Sequence, residues 1–379
     1  MMHLPDRLAL ARSIRSSTVA PLPGRYRLPV AAVLPVGYLR LLLPSHRYRP
    51  GLPARTLPLY GYTAAADLDG QVVVAASRSD DFAPWMGPRP TRSRLEQEVD
   101  RLQREQPRSR VVAQLSVCAL EHNCLTAQNT FFGRGEGALP TSAACNADCL
   151  GCISLQTDSG TPASQPRMGR APSAADLIAV ASQHLNRAQA AGEPGMVSFG
   201  QGCEGEPLLR ERELLEVATE LRRQFGSATI HINTNGSRPQ ALRRLFEAGV
   251  NSCRISVFSF QQELFAAYYR PRGYSIEDVM ASCRTAVASH AQLTINLLTF
   301  PGVTDAPDQV DLTVSCLREL QVRQLQWRSL NVDPLWLLER LPHLEKGVGL
   351  ERLMEKVRVS LPGLAMGNFT RPLAGSALP

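Results

Sequence analysis

From Ser173 to Leu330 the sequence switches regularly between a helical and a strand periodicity, and no other feature restricts its fold so strongly. SAADLIAVASQHLNRAQAAG reads as a helix with Ser173 as N-cap, Asp176 three residues on and Gly192 closing it. GMVSFG then predicts a short buried strand. The pattern continues with predicted helices at 209–225, 239–248, 275–289 and 306–320, and predicted strands at 228–233, 252–260, 292–300 and 322–330. Such alternation implies βαβ units and a parallel sheet, open or closed into a barrel, over residues 141–334. Ligands in these sheets sit beyond the carboxyl ends of the strands. That singles out GQGCEGEP (200–207), TNGS (234–237), the stretch after Phe260, PGVTD (301–305) and NVDP (331–334).

The flanking regions carry weaker signals. Short apolar runs broken by Pro and Gly predict a small β-rich region within 26–110. SRLEQEVDRLQRE spaces Leu95, Val99 and Leu102 as a linking amphipathic helix would. Residues 1–25 are expected to be disordered, and 335–379 to form a C-terminal helix and tail. With 379 residues and 44% hydrophobic side chains, the chain can bury one large core with a smaller attachment. No apolar run approaches the ~20 residues of a membrane helix, so no membrane partner is expected. The formal charge of +7 permits a nucleic-acid partner, but no recognised nucleic-acid motif accompanies it. Nine scattered cysteines, an odd number, point to a reducing, cytoplasmic location rather than a secreted disulfide framework.

Three of those cysteines stand together in CNADCLGC, with Cys145, Cys149 and Cys152 at spacings of four and three. Zinc asks for four ligands, usually in paired C-x2-C knuckles, and the other close pair, Cys118 and Cys124, has five residues between its members. A C-x-x-C redox pair would open a helix after a strand and has no use for Cys145. Three thiolates on one loop suit three irons of a 4Fe-4S cluster, leaving the fourth iron open to another ligand. A non-catalytic iron-sulfur or zinc-binding protein that senses redox state or scaffolds a complex is the alternative.

A C-x3-C-x2-C loop opening a βα-repeat domain resembles the radical S-adenosylmethionine (SAM) superfamily. The resemblance implies a partial TIM-type (β/α)6 barrel with an added β-rich N-terminal region. It also implies a cluster whose fourth iron is chelated by SAM, and reductive cleavage of SAM to a 5′-deoxyadenosyl radical that abstracts hydrogen from a substrate the sequence does not name. A reductant such as a ferredoxin or flavodoxin follows from the same chemistry. Gly205, Glu206 and Pro207 resemble the family's glycine-glutamate motif at the second strand end, where they would hold the SAM amino group. Asn233 and Asn235 resemble the third strand end, and would meet the SAM carboxylate or ribose. Arg254 and Ser256 alternate with apolar residues on the fourth strand and face the interior together. Gly302, in the fifth strand's ending, would allow close backbone approach to the adenine. One position departs from the family: many members place an aromatic before the last cysteine, and this chain has Gly151. For the substrate, Tyr268, Tyr269, Arg270 and Arg272 suit an anionic or planar group, while Arg328, Asn331 and Asp333 either contact it or close the barrel.

Overall fold

Seven strands form one sheet: β1 (Glu136–Leu139), β2 (Met196–Phe199), β3 (Thr229–Thr234), β4 (Ser252–Val257), β5 (Gln292–Thr299), β6 (Gln324–Ser329) and β7 (Ala365–Gly367). Every neighbouring pair is parallel and the spatial order follows the chain from β1 to β7. An order without reversal has no topological switch point, so the sheet is wound in one direction as in a barrel. The edges β1 and β7 do not pair, and the barrel is open. The structure is a computed structural model, and it describes residues 10–13, 19–21, 27–44, 61–68, 71–80, 90–158, 162–343 and 345–373.

The helices between strands form where the spacing places them: Ala174–Ala190, Glu211–Gln224, Pro239–Glu247, Ile276–Ala288 and Pro307–Glu319. Ser173 accepts from the Asp176 amide at 3.2 Å, as the cap pattern requires. Ser275 and Asp278 close a capping box on the fourth of these helices. The strand expected at 252–260 stops at Val257, and a helix of its own, Gln262–Tyr269, follows; Tyr268 and Tyr269 lie in that helix rather than in a loop. The first strand precedes residue 141, and two helices, Arg110–Leu120 and Leu125–Phe132, lead into it. Residues 335–379, expected as a helix and tail, also contribute β7.

Alternation along the strands divides the sheet into an apolar outer face and a polar inner one. On β4, Cys253, Ile255 and Val257 are fully buried against the helices. Ser252, Arg254 and Ser256 occupy the other face. Register aligns Asn233 with Arg254 and Thr294, Ser256 with Asn296 and Gln326, and Leu298 with Arg328. These inward groups satisfy one another: His231 Nδ1 meets Ser252 Oγ at 2.7 Å, Asn296 donates to Ser256 Oγ at 3.0 Å, and Arg254 Nη1 donates to Gln326 Oε1 at 2.9 Å.

The N-terminal region is β-rich, with antiparallel strands at 10–13, 19–21, 27–33, 62–68 and 71–74, and a separate pair, Tyr38–Arg40 with Ala76–Arg78. Of residues 1–25, expected as disordered, only Leu10–Ser13 and Val19–Pro21 are described, and both are strands; the remainder lies outside the described residues. This region docks on the β6–β7 edge. The Arg40 amide donates to Ser329 Oγ at 3.0 Å, and Asp80 Oδ2 accepts from the amides of Asn368 (2.6 Å) and Phe369 (3.1 Å). Among the described residues, no helix is long and apolar enough to cross a membrane.

Candidate functional site: the cysteine loop and the barrel mouth

The cysteine loop leaves the carboxyl end of β1 and is held from three sides, largely through backbone atoms. The β2 end lies against it: the Gly205 amide donates to Ser142 O at 2.7 Å and the Glu206 amide to Ala144 O at 2.8 Å. A Cβ on Gly205 would stand 1.9 Å from the Ala144 carbonyl oxygen, so only glycine allows this approach. From the helix after β4, the carbonyls of Tyr269 and Tyr268 accept from the Asp148 and Leu150 amides, each at 3.0 Å. From the β3 end, Asn235 Nδ2 donates to Asn146 Oδ1 at 2.9 Å, and Asn146 Nδ2 donates to Ser237 Oγ at 2.9 Å.

The three cysteines are half-buried free thiols. Burial raises Cys145, helped by the Glu206 carboxylate, and raises Cys149 well above the ordinary thiol value, helped by Cys152 and Cys145. Cys145 and Cys149 therefore resist ionisation unless cationic charge compensates it, which a bound metal centre would supply. Among the described residues, no three Cys, His, Asp or Glu side chains converge on one ion position. Donor chemistry and spacing fit a 4Fe-4S group. Arginines surround the loop: Arg167 Nη2 lies 3.6 Å from Cys152 Sγ, Arg272 Nη2 donates to Cys145 O at 2.8 Å, and Arg270 Nε to Asp148 O at 2.7 Å. Arg270 and Arg272, read from sequence as substrate groups, clamp the cysteine loop instead.

Gly151 has a packing reason. A Cβ there would lie 2.7 Å from the Tyr268 hydroxyl, 2.7 Å from Leu330 Cδ1 and 2.8 Å from Val332 Cγ2. The space beside the last cysteine is filled from outside the loop by Tyr268, whose ring stacks on Phe258 at 4.4 Å. Burial, then the charges of Cys149 and Cys152, push the Tyr268 phenol well up.

The other residues singled out from sequence are brought to the mouth, but each is engaged within the chain. Glu206 is buried, with Oε1 accepting from Thr234 Oγ1 (2.6 Å) and the Leu208 amide (3.0 Å), and Oε2 from the Asn235 amide (2.8 Å); burial raises its carboxyl to about 7. Asn233 donates to Phe199 O at 3.0 Å and accepts from or faces His231 Nε2 at 2.9 Å. Arg254 crosses the interior to Gln326 and to Thr370 Oγ1 at 3.3 Å, and Ser256 holds Asn296. Gly302 stands in a turn at φ 86° with nothing near a Cβ, so its need for glycine is conformational and not one of close approach.

Two contributors escaped the sequence reading. Glu204 is fully enclosed and accepts from the Thr141 and Ser142 amides, both at 2.7 Å, which pins the start of the cysteine loop; burial raises it to about 8. Cys203 sits against Cys118, and their shared hydrogen bond lowers Cys118 and raises Cys203. The adjacent EGE triplet was the available signal for Glu204. Nothing local announced the Cys118–Cys203 contact, because 85 positions (203 − 118) separate the two.

An open, singly wound parallel barrel with a three-cysteine loop after its first strand defines a class. Residues 139–311 match the sequence model of the radical SAM superfamily, and this domain belongs to that superfamily. No curated protein matches the chain. Solved structures similar to it include a radical SAM methyltransferase from Sphaerobacter thermophilus (18% identity, 61% of this chain and 65% of that one, TM-score 0.46). Others are Streptococcus suis SuiB bound to S-adenosylmethionine (15%, 68% and 54%, 0.46) and the FeFe-hydrogenase maturase HydG from Carboxydothermus hydrogenoformans (13%, 72% and 64%, 0.43). The chain spans less than two thirds of the length of each of these three proteins.

Proposed function

We propose that this protein is a radical SAM enzyme, with Cys145, Cys149 and Cys152 holding a 4Fe-4S cluster and SAM completing the fourth iron. When bound, the cluster and SAM supply one-electron cleavage of the sulfonium and a 5′-deoxyadenosyl radical that takes hydrogen from the substrate. The chain's own work is placement. Gly205 and Glu206 fix the cysteine loop against the β2 end, and Asn146 and Asn235 fix it against β3. Tyr268, Leu330 and Val332 pack against Gly151 beside Cys152. Gly205, Glu206, Asn233, Asn235, Arg254, Ser256 and Gly302 are proposed to face SAM; for Glu206 and Asn233 this requires exchange of an internal partner for the ligand. A low-potential ferredoxin or flavodoxin is the proposed electron source.

The observation that supports this reading most strongly is the position of the cysteine loop at the carboxyl end of β1, tied by backbone bonds to the end of β2 and by the Asn146 side chain to the end of β3. Anaerobic reconstitution followed by dithionite and SAM should yield 5′-deoxyadenosine. A fully loaded cluster that yields none, or a protein isolated with one zinc and no iron, overturns the proposal.

A further inference from the structure

A cavity lies where the N-terminal region meets the ends of β6 and β7. Its volume is about 600 Å³, in the range of small-ligand sites. Tyr38, Arg40, Tyr62, Trp327, Arg328 and Asn368 are among its lining residues. Asn331, also in the lining, sits between Leu330 and Val332, the two side chains that pack against Gly151 beside Cys152. The cavity therefore includes the loop that follows β6, whose Leu330 and Val332 reach Gly151 of the cysteine loop.

Its central charged group is Arg328, on which Arg254 acts as a like charge and the carboxylates of Glu136 and Asp80 as opposite ones. Arg328 is surrounded by protein yet partly accessible, as expected of a side chain reached through a cavity. Among the described residues it makes no ion pair; Nη2 donates to the Asn368 carbonyl. Arg254 lies on the same inner face and raises the local positive charge. The nearby acid Asp80 has Oδ2 committed to the Asn368 and Phe369 amides. Arg40, a second cation in the lining, donates to Tyr62 O at 3.2 Å and Leu330 O at 2.6 Å. Two further lining groups are almost wholly buried and lack a hydrogen-bond partner among the described residues: Trp327 Nε1 (residue 1% exposed) and Asn368 Oδ1 (3%). Buried polar atoms of this kind cost stability unless something completes them. An indole N–H asks for an acceptor, the amide oxygen for a donor, and an enclosed guanidinium for an anion.

We propose that this cavity is the substrate site and that it takes a small organic anion, a carboxylate or a phosphate ester, which Arg328 selects and Asn368 orients. Its role as a substrate site rests on the radical SAM reading; its affinity for anions does not. The test uses cluster-loaded protein with SAM and three probes of one shape: benzoate, phenyl phosphate and benzyl alcohol, followed by calorimetric titration. One of the anions should bind at least tenfold more tightly than the alcohol, and the tighter one names the headgroup. Arg328→Gln should weaken anion binding at least tenfold with iron content unchanged. If Arg328→Gln does not fold, Arg328→Lys decides: a retained preference for anions at lower affinity supports the site. Equal binding of the alcohol, undiminished anion binding by the Arg328 variants, or no anion binding by the wild type overturns the proposal. Failure of the radical SAM reading shows separately, as absence of 5′-deoxyadenosine from wild-type protein with full iron, whichever probes bind.

Discussion

The two sides of the barrel mouth are built by different means. Around the cysteine loop, backbone bonds from Gly205, Glu206, Tyr268 and Tyr269 act beside the side-chain ties of Glu204, Asn235, Arg270 and Arg272, and glycine at 205 decides how close the segments come. Around β6, β7 and the N-terminal region, side chains do the joining: Arg40 to Leu330, Asp80 to the Asn368 and Phe369 amides, Asn368 Nδ2 to Ser79 Oγ. On the proposed function, the loop would have to hold three sulfurs in fixed positions, which short backbone bonds favour, and the opposite side would have to fit a substrate, which side chains can do without moving the chain.

The sharpest way to break the comparison is at the thiols. Replacement of Cys145, Cys149 or Cys152 by Ala should lower iron from roughly four per chain to near zero, measured by iron assay and visible absorption. Cys253→Ala and Cys283→Ala should leave it intact, because these thiols are wholly buried on the outer face of β4 and in the helix 276–288. Loss of iron in Cys283→Ala would sink the ligand assignment. Gly205→Ala comes next: backbone cannot yield to a Cβ 1.9 Å away, so the variant should lose about 1–3 kcal/mol by denaturant unfolding, and incorporate several times less iron. Gly151→Ala meets only side-chain ends, and should cost about 1–2 kcal/mol. Adding Tyr268→Phe, which removes the hydroxyl 2.7 Å from the new methyl, should recover part of that loss. No recovery in the double variant would mean that Tyr268 does not fill this space. The smallest effect is expected at Gly302→Ala, about 1 kcal/mol from a positive φ, with iron content unchanged; an iron deficit there would place Gly302 at the cluster and not beside SAM.

Legibility in the sequence follows the same division. The repeating helices and strands were readable because amphipathic periodicity is local, and the loop cysteines because their spacing is local. The helix Gln262–Tyr269 was not, since PRG and the flanking polar residues resemble a loop and its buried face is set by packing on Phe258 and the cysteine loop. Glu206 was found by resemblance, but its ties to Thr234 and Asn235 depend on where the β3 end falls. Glu204 was passed over because a single acid in a glycine-rich loop is ordinarily exposed, and only the fold supplies the two amides that bind it.

By itself the sequence determined the parallel βα domain, its strand ends and three thiols on one loop, because each is written in residues close together along the chain. The tertiary structure alone decided the rest: which wall Gly151 leaves open to Tyr268, which arginines clamp the loop, and how β7 and the N-terminal region enclose Arg328. Those contacts join positions as far apart as Asp80 and Asn368. Their energies depend on proximity and burial, quantities that exist only once the chain has folded.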